Sequence, residues 1–221
     1  MTTPPAPRLC VYCGSNVGTS PAYLAAAERL GTAMARRGVG LVYGGGHVGL
    51  MGAVADAVLA NNGEVVGVIT EQLVNAEVAH LGLTSLEVVP DMHQRKARFE
   101  QLADGFIALP GGFGTVEELV EMITWNQLGL VRKPVVLFDV DRYWAPLFDW
   151  MDASVAAGFV RSSHRMLAQR AHTAEEAIAL ALSPVPETPN KWMDRDHPTG
   201  QIPVTPSGAA PLPPPIPTST T

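Results

Sequence analysis

The segment "ALPGGFGTVEEL", residues 108–119, places three glycines and two carboxylates where a buried strand gives way to a helix. Glycine lets the backbone adopt positive φ and present successive N–H groups to an anion. The start of the following helix adds the positive end of its dipole, which suits a phosphate group. Glu117, Glu118 and Glu121 follow within this helix. Like charges so close together repel each other slightly, which is acceptable on a solvated face and useful near a ligand pocket.

Glu118 has a second interpretation that involves no ligand. With Thr115 as N-cap, Glu118 is the third residue of the helix, and T-V-E-E is a capping box. Acidic residues in a first turn also complement the helix dipole. On the pattern alone, a ligand-facing carboxylate and a helix cap are equal alternatives.

Glycine-rich turns follow two further predicted strands. They are "CGSN" at residues 13–16, which contains Ser15, and "YGGGHVGLMG" at residues 43–52. Three such junctions in one small sheet favour a phosphorylated ligand. "GGGHVG" also matches the dinucleotide pattern G-x-G-x-x-G, with Glu71 as a candidate ribose-binding acid. This pattern lies in the second strand–helix unit and no second domain follows, so we do not expect a dehydrogenase.

The predicted helix "MHQRKARFEQLA" carries the clearest cluster of positive charge. Arg95 borders its apolar stripe, because Phe99 lies four residues further on the same face. A cation pressed toward the core needs a protein carboxylate or a bound anion. Lys96 and Arg98 lie close by, and a solvated role fits Arg98 better than Arg95.

Strand-like and helix-like segments alternate through most of the chain, and the strands are short, mostly apolar runs. The predicted strands are residues 8–13, 39–44, 64–69, 86–89, 105–110, 133–139 and 167–173. The predicted helices are residues 21–38, 49–63, 92–103, 115–129, 143–158 and 174–182. This alternation predicts an α/β fold with a doubly wound parallel sheet, a Rossmann-like three-layer sandwich in a single domain. Its ligand should lie at the carboxyl ends of the strands.

The composition of the 221-residue chain narrows the class of protein. With 47% hydrophobic residues it can bury the core of one domain, and its net charge of −6 argues against a nucleic-acid partner. No apolar run reaches the roughly 18 residues that a membrane helix needs. The opening "MTTPPAPR" lacks the apolar stretch of a secretory signal, so we expect a cytoplasmic protein without a membrane partner.

The composition also divides the chain into three segments. We expect a disordered N-terminus at residues 1–7, the α/β domain at residues 8–182, and a proline-rich, disordered tail at residues 183–221. Cys10 and Cys13 lack a second pair of zinc ligands at suitable spacing. They lie in a strand-like run with side chains on opposite faces, so we expect buried, reduced thiols rather than a metal site.

In its glycine-rich and basic segments the chain resembles the Lonely Guy (LOG) family of cytokinin-activating phosphoribohydrolases. The family motif P-G-G-x-G-T-x-x-E matches "PGGFGTVEE" without departure, and "MHQRK" stands upstream of it. Further agreement comes from "CGS", "YGGGHVGLMG", "EVAH" and "ITWNQLG". The resemblance covers about residues 8–182 and leaves out the proline-rich tail.

The resemblance implies hydrolysis of the N-glycosidic bond in a nucleoside 5′-monophosphate, which gives a free N6-substituted adenine and ribose 5-phosphate. It implies that Arg95 and Glu118 form the catalytic pair, that the protein is a homodimer, and that no metal or organic cofactor is required. Arg95 could engage the phosphate, the ribose or Glu118 itself. The candidate substrate contacts besides this pair are Ser15, Glu77, Lys96, Gly111, Gly112, Phe113, Gly114, Thr115, Val116, Glu117 and Thr124.

Proteins of this family have also been labelled lysine decarboxylases. An enzyme that uses pyridoxal phosphate for that reaction needs a lysine for the Schiff base. The lysines of the chain are Lys96, Lys133 and Lys191, and none lies at a glycine-rich junction with a suitable partner motif. We therefore do not expect a decarboxylase.

A nucleotide-binding module without catalysis, built on the same sheet, is the remaining alternative. Such a module needs the glycines of the three junctions but has no need of the acid at Glu118. The presence of both Arg95 and Glu118 favours the enzyme.

Overall fold

The computed structural model describes residues 5–75, 79–185 and 187–188. The chain divides into a compact unit, Met1–Lys191, and a second unit, Trp192–Thr221, which lies outside the described residues. The first four residues of the predicted disordered N-terminus and most of the predicted disordered tail also lie outside them. The boundaries of the three predicted segments stay predictions.

Among the residues that the structure describes, seven strands form one sheet, and every pair of neighbours is parallel. The strands are β1 Arg8–Tyr12, β2 Gly40–Tyr43, β3 Val65–Thr70, β4 Ser85–Val89, β5 Gly105–Ala108, β6 Val135–Phe138 and β7 Ala168–Ala171. Their order in the sheet is β4-β3-β2-β1-β5-β6-β7. The predicted fold class, a doubly wound parallel sheet, is confirmed.

In the described ranges, eight helices lie between or after the strands. They are α1 Pro21–Arg36, α2 Gly49–Ala60, α3 Glu71–Asn75, α4 Met92–Leu102, α5 Phe113–Leu128, α6 Ala145–Ala156, α7 Ser162–Arg165 and α8 Ala174–Ala181, and a 3₁₀ turn spans Val140–Arg142. The sequence does not predict α3, α7 or the 3₁₀ turn, because segments of three to five residues are too short to show a helical period.

A separate apolar core covers each face of the sheet. One core receives α1, α2 and α8, with Leu30 and Ile178 fully buried in it. Helices α4, α5 and α6 pack into the other core, in which Phe99 and Leu119 are buried. Because both faces are covered, the strands are continuous apolar runs rather than alternating ones, as the sequence indicates.

The first strand shows how one run of residues serves both cores. Leu9 and Val11 lie in the first core, and Cys10 and Tyr12 lie in the second. Cys13 packs against the first core, so the two cysteines lie on opposite faces of the sheet and both are free thiols. Burial raises the pKa of both thiols, which keeps them protonated and unreactive.

The strand order reverses between β1 and β5. From β1 the sheet grows through β2, β3 and β4 on one side and through β5, β6 and β7 on the other. Ligands of such sheets bind in the crevice outside the carboxyl ends of the strands at this reversal, here beyond Tyr12 and Ala108. None of the helices in the described ranges is long and apolar enough to cross a membrane.

Candidate active site

Helix α5 begins two residues before the start that the sequence predicts. Gly112 is its N-cap, and no side chain makes a capping hydrogen bond there. Thr115 lies inside the first turn with its side chain buried against Gly111, where an added Cβ would stand 2.1 Å from the Thr115 hydroxyl oxygen. Glu118 is the sixth residue counted from Phe113, beyond the reach of a cap. The capping-box interpretation of Thr115 and Glu118 is therefore wrong.

A genuine cap of the same sequence pattern occurs at α8. In "TAEE", residues 173–176, Thr173 Oγ1 accepts a hydrogen bond of 3.1 Å from the Glu176 N–H. Glu176 Oε2 in turn accepts a hydrogen bond of 2.7 Å from the His172 N–H. The first turn of α5 has no such pair, so its N–H groups stay available to a ligand.

The start of α5 faces a cavity of about 660 Å³ at the carboxyl ends of β1, β2, β3 and β5. All three glycine-rich junctions contribute to its wall, as the sequence indicates. The lining residues are Cys13, Gly14, Ser15, Asn16, Gly44, Gly46, Val48, Met51, Ile69, Leu73, Arg95, Gly112, Phe113, Gly114, Thr115 and Glu118.

Arg95 reaches this cavity from α4 and is only 8% exposed. Its Nε donates to the Val68 carbonyl at 2.9 Å, and its Nη2 donates to the Gly44 carbonyl at 3.2 Å. The guanidinium group lies 5.0 Å from the centre of the Phe99 ring, the neighbour that the sequence predicts. A Cβ at Gly44 would stand 2.2 Å from Arg95 Nη2, so a side chain at this position would displace the guanidinium group.

Glu118 is the carboxylate partner of Arg95. Its Oε1 lies 3.5 Å from Arg95 Nη1, and the two side chains are 13% and 10% exposed. Burial raises the pKa of Glu118 to about 7, although the positive charge of Arg95 acts in the opposite direction. Near neutral pH this carboxyl group therefore exists both with and without its proton, the state expected of a general base.

Lys96 joins the carboxylates on the outer side of α5. Its Nζ donates to Glu117 Oε1 at 2.6 Å and to Glu121 Oε1 at 2.9 Å. Burial acts to lower the pKa of Lys96, but the hydrogen bonds and the negative charges of the two carboxylates together outweigh it, and the pKa is raised. The like charges of Glu117 and Glu121, four residues apart on one face, are thus compensated by one ammonium group.

Comparison with known proteins now identifies the family. A cytokinin riboside 5′-monophosphate phosphoribohydrolase of Arabidopsis thaliana is 47% identical over 171 residues, which are 77% of this chain and 79% of that protein. The phosphoribohydrolase LOG of Oryza sativa subsp. japonica is 45% identical over 180 residues, 81% of this chain and 74% of that protein. The chain belongs to the LOG family. A family model described as "possible lysine decarboxylase" matches residues 51–181.

Solved structures share the fold of this LOG-family chain at lower identity. The molybdenum cofactor binding protein of Rippkaea orientalis has a TM-score of 0.61 and 23% identity, over 80% of this chain and 96% of that one. The molybdenum cofactor carrier protein of Chlamydomonas reinhardtii has a TM-score of 0.60 and 21% identity, over 79% of this chain and 95% of that one. At these identities the comparison supports the fold alone.

The description of the family model raises the question of a decarboxylase site with pyridoxal phosphate. Such a site needs a lysine for the Schiff base. Among the described residues, Lys96 is bound by two carboxylates and Lys133 donates to Glu100, and neither lines the cavity. The described part of this LOG-family cavity does not fit pyridoxal phosphate.

The LOG-family resemblance predicts thirteen site residues, and the structure brings seven of them into the cavity wall. These seven are Ser15, Arg95, Gly112, Phe113, Gly114, Thr115 and Glu118. Gly111 lines a smaller cavity next to it. Lys96, Val116 and Glu117 lie on α4 and α5 outside the cavity wall, and Glu77 lies outside the described residues.

Thr124 lies elsewhere, two turns further along α5 than Glu117. Its hydroxyl donates to the Val120 carbonyl at 2.7 Å, and it lines a separate cavity between α5, α6 and α7. The roles of all thirteen residues as catalytic or substrate-binding groups stay predictions.

Sequence reasoning missed the apolar part of the cavity wall. Val48, Met51, Ile69 and Leu73 supply apolar side chains from the ends of β2 and β3 and the helices that follow. Only their position could have indicated these four residues, because residues beyond the carboxyl ends of neighbouring parallel strands meet at one edge of the sheet.

Proposed function

We propose that this protein hydrolyses the N-glycosidic bond of N6-substituted adenosine 5′-monophosphates and releases the free base and ribose 5-phosphate. One observation carries the proposal: a carboxyl group with a pKa of about 7, Glu118, lies 3.5 Å from a buried arginine beside the uncapped start of α5. The curated relatives named above carry this activity in their names.

The start of α5 suits the 5′-phosphate. The N–H groups of Phe113, Gly114 and Thr115 belong to the first turn, and Gly112 and Gly114 have open space where a side chain would stand. A phosphate that carries about −1.5 to −2 charges at neutral pH can approach this backbone closely and is favoured by the helix dipole.

Glu118 suits the reacting bond. As the base departs with the bonding electron pair, C1′ of the ribose gains oxocarbenium character, which a carboxylate stabilises electrostatically. The same carboxylate accepts a proton from the water whose oxygen attacks C1′. That proton is then available to the departing base, so the net reaction consumes one water molecule.

Arg95 acts on Glu118 in this scheme. Two of its nitrogens are committed to the carbonyls of Gly44 and Val68, which fixes Nη1 toward Glu118. A fixed positive charge at that distance orients the carboxylate and lowers its pKa from the still higher value that burial alone would give.

The apolar wall suits the base. Val48, Met51, Ile69 and Leu73 line the same cavity as the start of α5, and the volume of about 660 Å³ falls in the ordinary range for small-molecule sites. An adenine with an apolar N6 substituent can bury its surface there while the phosphate stays at α5.

A nucleotide-binding module without catalysis is the second candidate function. Chromatography of the purified protein after incubation with AMP and isopentenyladenosine monophosphate separates the two functions. The proposed hydrolase releases free base from at least one of them, whereas the module binds both nucleotides and leaves them intact. The homodimer and the cytoplasmic location stay predictions that this assay does not address.

A further inference from the structure

We propose that Tyr143 is a positioning residue for the phosphate loop, defined as residues 110–112 between β5 and α5. Its hydroxyl group holds the Gly111 carbonyl and thereby turns the Gly112 N–H toward the ligand. The inference rests on the proposed function only in naming the ligand group as a phosphate.

Two segments that are distant in sequence contact the phosphate loop. The Pro110 carbonyl accepts a hydrogen bond of 3.0 Å from the Gly14 N–H in the junction after β1. The next carbonyl, that of Gly111, accepts a hydrogen bond from the Tyr143 hydroxyl group. Two successive carbonyl groups of the loop are therefore fixed by residues from different parts of the chain.

The geometry of the peptide bond carries the effect of Tyr143 into the site. In a trans peptide, the Gly111 carbonyl and the Gly112 N–H point in opposite directions. Tyr143 lines the smaller cavity of about 240 Å³, whereas Gly112 lines both that cavity and the larger one. Holding the Gly111 carbonyl at Tyr143 thus directs the Gly112 N–H away from the smaller cavity. In the part of the chain that the structure describes, this N–H donates to no protein acceptor.

The segment that delivers Tyr143 adopts an unusual backbone. Asp141 and Arg142 have φ values of +51° and +58°, a left-handed conformation that non-glycine residues rarely adopt. Asp141 Oδ2 accepts a hydrogen bond of 3.0 Å from the Ser20 hydroxyl group, which ties this turn to the start of α1. Consecutive left-handed residues persist only where surrounding contacts hold them, and they concentrate at functional sites.

A second set of contacts fixes the far side of the same segment. The buried Asp139 accepts a hydrogen bond of 2.7 Å at Oδ1 from the Trp144 N–H. The indole N–H of Trp144 donates to the Ala108 carbonyl at 3.2 Å, at the end of β5. The Tyr143 ring packs edge-on against Trp144, with centroids 5.0 Å apart, and against Tyr23 at 5.7 Å. Tyr143 is thus a braced side chain whose hydroxyl group has a fixed position.

Calorimetric binding of ribose 5-phosphate to the full chain tests the inference, with Tyr143→Phe as the variant. Phenylalanine keeps the ring and its packing but releases the Gly111 carbonyl. We expect affinity for ribose 5-phosphate to fall by about 3–10-fold, the scale of one neutral hydrogen bond. KM for AMP should rise by a similar factor with kcat within about twofold, because the phosphate is held equally in the ground and transition states.

Tyr23→Phe is the matched control, because it removes a hydroxyl group from the same small cavity without a contact to the Gly111 carbonyl. It should leave affinity for ribose 5-phosphate unchanged, and inhibition by adenine should be unchanged in both variants. The inference would be overturned if Tyr143→Phe bound ribose 5-phosphate as tightly as the wild type, or if Tyr23→Phe lost as much affinity for it as Tyr143→Phe. It would also be overturned if inhibition by adenine weakened as much as the binding of ribose 5-phosphate. A wild-type protein that does not bind ribose 5-phosphate would overturn it as well. A wild-type protein that binds it but releases no base overturns the proposed function alone, and the comparison of affinities still decides the role of Tyr143.

Discussion

Arg95 and Glu118 meet at the wall of the cavity, with 3.5 Å between Nη1 and Oε1, although they lie on different helices. The arginine is the fixed member of the pair, because the Gly44 and Val68 carbonyls hold its other nitrogens. The carboxylate is the member that changes its protonation state, since burial brings its pKa to about 7. The expected activity of Glu118→Gln, the pH profile and the pH-dependent stability all follow from this division of roles.

Glu118→Gln should abolish most of the activity and leave the fold intact. The charge that faces the developing oxocarbenium ion is lost, so kcat should fall by roughly 10²–10⁴-fold, while calorimetric binding of AMP weakens little. Glu176→Gln is a matched control, because Glu176 occupies the same position of a T-x-E-E sequence and does cap its helix. Turnover of Glu118→Gln close to that of the wild type would favour the binding module instead.

The pKa of Glu118 should also set the pH profile of the free enzyme. Since the carboxylate form is the active one, kcat/KM should rise as the pH increases, reach half its maximum near pH 7 and then level off. The profile is measured with AMP well below its KM. A plateau that extends unchanged down to about pH 5 would contradict the role of Glu118 as the base.

The stability of the folded protein should fall as the pH rises, whereas kcat/KM rises. Between the ordinary pKa of 4.5 and the folded pKa of about 7, the unfolded carboxyl group has lost its proton while the folded one retains it. The free energy of unfolding therefore falls as the pH rises through this window. We expect urea unfolding to show Glu118→Gln more stable than the wild type by up to about 3 kcal/mol at about pH 8, and equal to it at about pH 4.

The sequence predicts the sheet, the helix face on which Arg95 lies and the three glycine-rich junctions, because each of them depends on a local pattern. Apolar runs and glycines mark the ends of strands, and the spacing of Arg95 and Phe99 places the guanidinium group at the ring. The topology then collects the junctions at one edge, which is why Ser15 and Gly112 share a cavity.

The parts that the sequence could not predict depend on contacts between distant segments. T-V-E-E and T-A-E-E look alike, yet only the second makes a cap. At α5 the helix already begins at Phe113, after the N-cap Gly112, which leaves Thr115 inside the first turn. The partners of Lys96 and the contact of Tyr143 with the phosphate loop likewise join residues about 20–30 positions apart, beyond the reach of any local pattern.

Gly111 and Gly114, at the junction between β5 and α5, should respond to alanine in different ways. A Cβ at Gly111 would stand 2.1 Å from Thr115 Oγ1, so Gly111→Ala should lower the melting temperature. A Cβ at Gly114 meets no protein atom within 4 Å, and alanine is the better helix former, so Gly114→Ala should be as stable as the wild type or more so.

Gly114→Ala should weaken substrate binding even though it leaves the fold stable. Because Gly114 lines the cavity, its added methyl group lies where the ligand approaches the backbone, and KM for AMP should rise by about tenfold or more. Unchanged KM in a fully folded Gly114→Ala protein would show that the phosphate does not bind at the start of α5.

The 5′-phosphate should be required for efficient hydrolysis. An unphosphorylated nucleoside lacks the phosphate oxygens to which the uncapped N–H groups of α5 can donate. Hydrogen bonds to a charged group contribute about 1.5–3 kcal/mol each. Two such bonds correspond to at least about a hundredfold in kcat/KM for AMP over adenosine. Equal rates of base release from the two compounds, measured by chromatography, would contradict phosphate binding at this junction.

Removal of the proline-rich tail should leave the activity unchanged. All residues that line the cavity lie between Cys13 and Glu118, so no described part of the site comes from beyond α8. A chain that ends after Ser183 keeps the hydrogen bond of 2.7 Å from the Ser183 hydroxyl group to the Ala179 carbonyl, which closes α8. We expect its kcat/KM for AMP to match that of the full chain. A fall of more than about tenfold, or about 1.4 kcal/mol of transition-state stabilisation, would mean that the tail contributes to the site.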